Sequence, residues 1–166
     1  MKIFNLRGEL DDKILTEFTE FSNTYWEEDW MIYIENGGGS NWVQEQISYI
    51  LKQRESRTTL SVIRAYSSAF RLMLLFNGKI NILPGARGMI HQSSREETKL
   101  VSGKRQLEGM EGFNRMIDSE DRIGHKRDLE LISPVLTEKE LNDYKHGLDI
   151  FFTDKQLTNI IKKKSK

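Results

Sequence analysis

The chain has no cysteine, which excludes disulfides, thiolate zinc sites and a cysteine nucleophile. It has only two prolines among 166 residues, and no Pro- or Ser-rich linker, internal repeat or low-complexity block divides it. The length fits one domain with a real core, and a hydrophobic share of 37% beside 30% charged residues argues against disorder. Long apolar runs are missing as well. Met1 to Leu10 carries Lys2 and Arg7 but no stretch apolar enough for a signal peptide or a membrane span. The expectation is a cytoplasmic protein with no membrane partner. Neither sign of charge prevails: Lys plus Arg and Asp plus Glu both total 25, for a net charge of zero. No global bias toward nucleic acid or a membrane surface follows from that balance. The local exception is Lys162, Lys163, Lys164 and Lys166, read as a solvated basic C-terminal tail (161–166) behind a single domain (1–160). Nothing points to a cofactor or a metal site.

What is present alternates between two kinds of periodicity. Lys2 to Asn5 reads as a short strand, and Asp11 or Asp12 can cap the helix after it. Ile14, Phe18, Phe21 and Tyr25 lie on one face of that helix. Trp30 to Glu35 (WMIYIE) is a buried strand, broken by Asn36-Gly37-Gly38-Gly39-Ser40. Val43, Ile47, Ile50 and Leu51 then resume a helical stripe. Thr58 to Arg64 is again strand-like, and Ser67 to Phe76 is a helix closed by Asn77-Gly78. Two short strands, Ile80 to Leu83 and Gly88 to His91, are separated by a turn at Pro84-Gly85. This succession predicts an α/β fold, a parallel sheet with strand-turn-helix repeats.

Further on, Leu107, Met110, Phe113 and Ile117 mark the apolar face of a peripheral helix over about 96–119. Gly103, Gly109 and Gly112 within it cost about 2–3 kcal/mol relative to alanine, so it needs a kink or a covering partner. Asp118 to Lys126 is a polar turn. Thr137 and Glu140 form a capping box, Leu148 to Phe152 reads as a last strand, and a helix follows. His125 and His146 stand in polar surroundings and take no role.

Acyl-transfer hydrolysis needs a nucleophile, a base within reach and backbone N–H donors for the oxyanion. Each is available where a predicted parallel strand ends, the usual place for a site on an open α/β sheet. Gly37-Gly38-Gly39 opens a helix and lets the main chain come close to a substrate. Ser67 stands at the next strand-to-helix junction, and His91 ends a later strand. Singly, each has an ordinary explanation: a turn, an N-cap, a structural histidine.

Together, Trp30 to Ser40 (WMIYIENGGGS), Thr59 to Phe70 (TLSVIRAYSSAF) and above all Ile82 to Gln92 (ILPGARGMIHQ) resemble the proteolytic subunit of the Clp protease (ClpP). That family reads Leu-Pro, a small or polar pair, Arg, then Met-Ile-His-Gln. The likeness spans residues 3 to 92 and, loosely, 133 to 152. It implies a ClpP/crotonase-like fold and a serine-type endopeptidase acting on peptides or proteins. Ser67 would be the nucleophile, His91 the general base, and the N–H groups of Gly38 and Ser68 the oxyanion hole. Counting from Gly38 selects Ser67 and counting back from Pro84 selects Ser68. The family's small residue two positions after its serine favours Ser67, which has Ala69 there. The family's aspartate falls on Ser133, leaving an atypical or missing third member, for which Asp128 or Glu130 are substitutes. A non-catalytic ClpP-like subunit is therefore the alternative, and a crotonase-type enzyme acting on acyl thioesters a more distant one. The resemblance also implies a homo-oligomer, joined through the helix around Leu107 to Ile117. It extends only weakly to an ATPase partner, because the chain starts directly at its first strand.

Overall fold

The computed structural model describes residues 1–92 and 126–164. Its first half alternates strand and helix: β1 (Lys2–Leu10), α1 (Asp12–Thr24), β2 (Trp30–Gly39), α2 (Asn41–Lys52), a 3-10 turn (Glu55–Arg57), β3 (Thr58–Tyr66), α3 (Ser68–Leu75) and β4 (Lys79–Ile90). After a helical stretch α4 (126–132) come α5 (Glu138–Lys145), β5 (Ile150–Thr153) and α6 (Asp154–Lys164). The strands lie in chain order, β1-β2-β3-β4-β5. The first four are parallel and β5 runs antiparallel to β4. The class is α/β with a mostly parallel sheet.

Local chemistry explains the element boundaries. Asp11 caps α1 by accepting from the Ile14 N–H at 2.9 Å, and Ser40 caps α2 by accepting from Val43 at 3.3 Å. The capping box of Thr137 and Glu140 starts α5. Along β2, Trp30, Ile32, Ile34, Asn36 and Gly38 are buried and the residues between them are more exposed. One face of the strand thus carries the core, as a period of two requires. Ile14 and Phe18 of α1, Val43, Ile47 and Leu51 of α2, and Phe70, Leu72 and Met73 of α3 complete that core. Phe70 stacks on Phe152 with ring centroids 5.1 Å apart, which ties β5 to α3.

Several boundaries differ from expectation. The strand β2 runs through the glycines to Gly39 instead of breaking at Asn36. Pro84-Gly85 does not separate two strands. It belongs to one long β4 whose pairing with β3 is interrupted and then resumes: Val62 faces Ile82, and Arg64 faces Arg87. The carboxylate of Asp154 accepts the Gly85 N–H at 2.8 Å, so the excursion is held from outside the sheet. The residues 161–164 of the basic tail are the last turn of α6. There Lys164 donates to the Phe76 carbonyl, and burial pushes its pKa down. The segment around Leu107 to Ile117, for which a helix was expected, and His125 lie outside the described residues. Among those described, no helix is long and apolar enough to cross a membrane.

Candidate active site

The strands β3 and β4 are parallel neighbours, so their carboxyl ends lie side by side and carry Ser67 and His91. The ladder is closed by the Ser67 N–H donating to the Met89 carbonyl at 2.8 Å. Ser67 then turns sharply into α3 with φ 53° and ψ −122°. It is the one non-glycine residue with positive φ among those described. A side chain in that region costs about 1–3 kcal/mol and persists only where its surroundings impose it. The turn lifts the hydroxyl clear of the sheet, as a strained strand-to-helix elbow does for a nucleophile. Ser67 Oγ lies 2.8 Å from Nε2 of His91. With the ring proton on Nδ1, the hydroxyl donates and Nε2 accepts, which is what a general base requires.

The two adjacent serines separate cleanly. Ser68 is fully buried, and its hydroxyl donates to the Gly39 carbonyl at 2.8 Å. It fastens the glycine turn to α3. Its N–H is the first of α3 and has no acceptor within that helix.

Gly38 lies hard against the nucleophile. Its φ is +97°, and a Cβ built there would come within 2.6 Å of Ser67 Cβ and 2.9 Å of the Tyr66 carbonyl oxygen. Only glycine fits. Its N–H, however, is not open as expected: the Asn36 side chain accepts it at 2.8 Å across the buried turn. The Nδ2 of Asn36 is buried without a partner among the described residues. Of the two oxyanion donors expected, Ser68 is at a helix start and Gly38 is engaged.

Ser133, just after α4, is exposed and its hydroxyl donates to the Leu129 carbonyl of that helix at 2.5 Å. It is not a partner of the His91 ring. Among the described residues, no carboxylate is within ion-pairing distance of that ring. Asp128 is instead gripped by Arg71, which also donates to the main-chain carbonyl of His91 at 3.1 Å. Gln92 anchors the next residue by donating to the Tyr144 carbonyl at 2.9 Å. Sequence reasoning missed Asn36 and Arg71. The signal for Arg71 was a lone charge within the apolar run SSAFRLMLLF, and that for Asn36 an Asn two residues before a glycine, the pattern of a side-chain-closed turn. No group of three or more His, Asp or Glu poised for a metal occurs among the described residues.

A comparison with protein-family models finds no match, and a comparison with curated proteins finds none either.

Proposed function

We propose that this chain is a ClpP-like serine peptidase that cleaves peptide bonds through a Ser67–His91 pair, on a domain of the ClpP/crotonase type. The observation that carries the reading is the strained elbow at Ser67 with its hydroxyl 2.8 Å from His91 Nε2. Strain of this kind has no use in an ordinary helix cap, where serine takes an extended conformation and bonds the helix's own N–H groups. Ser67 makes no such cap bond.

In this mechanism His91 removes the hydroxyl proton as Ser67 Oγ attacks the scissile carbonyl carbon. The oxyanion forms against the Ser68 N–H, and the Gly38 N–H joins once it leaves Asn36. His91 then gives its proton to the departing amine, leaving an acyl ester on Ser67. Water, deprotonated by His91, attacks that ester; the acyl C–Oγ bond breaks, the acid departs, and His91 returns the proton to Ser67 Oγ. Among the described residues no carboxylate stands behind the imidazole; the histidine cation is then less stabilised, at a cost of several powers of ten in rate where a complete triad is the reference. The expected turnover is slow.

The engaged Gly38 N–H and the His91 ring without a described carboxylate favour a second reading, a catalytically idle ClpP-like subunit with a binding or assembly role. A fluorophosphonate probe separates the two. Under the peptidase reading it labels the wild type at Ser67, Ser68→Ala keeps labelling, and His91→Gln abolishes it. A folded wild type that resists the probe at high concentration is the idle subunit.

A further inference from the structure

Arg71 sits in the middle of α3 and is only 4% exposed. Its guanidinium forks onto Asp128 of α4: Nε to Oδ1 and a terminal nitrogen to Oδ2, both at 2.7 Å. The same terminal nitrogen, Nη2, donates to the His91 carbonyl at 3.1 Å. The Tyr144 hydroxyl of α5 approaches the same Asp128 oxygen at 3.4 Å. Burial raises the Tyr144 pKa, and the Asp128 charge acts in the same direction, so the phenol remains a donor. Helices α3, α4 and α5 therefore converge on the main chain at the end of β4.

A buried ion pair is a poor way to gain stability, because apolar side chains of similar size serve as well or better. What apolar side chains cannot reproduce is the bond to the His91 carbonyl. Lysine could not reproduce it either, since a point donor cannot fork a carboxylate and hold a second acceptor in one fixed plane. We propose that Arg71, locked by Asp128, is a positioning residue for His91: it fixes the main chain at the end of β4 so that the imidazole meets the Ser67 hydroxyl. Its effect on turnover rests on the peptidase reading above; the placement of the ring does not. The network supplies the orienting half of what a carboxylate at the imidazole would do, and none of its charge.

The test replaces the pair as a unit, R71M/D128L, so that no lone charge is left buried. The 15N shifts of the His91 ring are compared with and without Ser67→Ala, in the native and the R71M/D128L backgrounds. In the native background, removing the Ser67 hydroxyl moves the Nε2 resonance. In R71M/D128L the same removal is expected to move it by less than half as much, with labelling slowed ten-fold or more. An undiminished Nε2 response overturns the proposal. Should R71M/D128L fail to fold, Arg71→Lys decides by the same comparison, because it keeps the charge opposite Asp128 and loses the fork. A wild type that resists the probe while its Nε2 response follows this pattern removes the peptidase reading and leaves the positioning role standing.

Discussion

The backbone of Ser67 allows a test in which the sign of a stability difference is diagnostic. Ser67→Ala and Ser67→Gly both delete the hydroxyl and its bond to His91, a loss of about 0.5–1.5 kcal/mol common to the two. They differ in the backbone. Alanine retains the strain of φ 53° and ψ −122°, about 1–3 kcal/mol. Glycine releases it but adds about 0.4–1 kcal/mol of unfolded-chain entropy. The net expectation is that Ser67→Gly is more stable than Ser67→Ala by up to about 2.6 kcal/mol. At a position of ordinary backbone conformation the order reverses, with glycine about 0.5–1 kcal/mol worse. Urea denaturation of the two variants, with equal slopes, reads the difference directly. Ser67→Gly coming out less stable than Ser67→Ala by about 1 kcal/mol would refute the strained elbow and remove the main support for Ser67 as nucleophile.

Gly38→Ala should leave a folded domain by circular dichroism but slow probe labelling at Ser67 by at least ten-fold, since its Cβ would intrude within 2.6 Å of the serine side chain; unchanged labelling contradicts the close approach. The Asp154 carboxyl is held below its usual range by the Gly85 N–H first and the Lys155 N–H second. A carboxyl lowered on folding contributes stability above its unfolded pKa, and that contribution disappears as pH falls through the folded value. Acid titration should therefore show a loss from about pH 4 downward, which Asp154→Asn makes shallower; parallel curves for the two proteins exclude the contact. Phe152→Ala removes a ring stacked on Phe70 and should cost about 3–5 kcal/mol in urea denaturation, whereas a cost below 1 kcal/mol would mean that β5 is not docked on α3. As a consequence of the proposed family membership, light scattering at tens of micromolar should give an oligomeric mass; a strictly monomeric native chain contradicts assembly.

The site was legible to the extent that it depends on neighbouring parallel strands. Strand, turn and helix recurred in order, which put Ser67 and His91 at strand ends; their pairing came from the family resemblance, since the residues alone read Gly88 to His91 as a strand separate from Ile80 to Leu83. The choice between Ser67 and Ser68 came from the resemblance, whose small residue two positions after the serine matches Ala69, and the structure gives the two hydroxyls different partners, His91 and the Gly39 carbonyl. Where sequence reasoning fell short, the deciding partner was distant along the chain or hidden in a side-chain bond. Proline and glycine at 84 and 85 announce a local departure from a strand, but they do not say whether the ladder resumes; Asp154 and the β3 register decide that. A free N–H at Gly38 was expected from the glycine turn and the resemblance, and the Asn36 side chain, two residues earlier, takes it. Ser133 was placed by counting from Leu136-Thr137, and counting carries no information on which way a hydroxyl at a helix end turns.

The break in the β3–β4 ladder separates two things that a continuous strand would couple. Ile82 and Arg87 are each pinned to β3, so the segment between them leaves and rejoins the sheet without changing where His91 stands relative to Ser67. Gly85, with φ +77° and open space around its α-carbon, is the apex of that segment. A reporter loop or an epitope spliced in beside it would ride on the rim of the sheet and leave the spacing of the reacting pair untouched. The same latitude makes the excursion a point where related chains can differ in length and still align their strand ends, because insertions there shift numbering and not register.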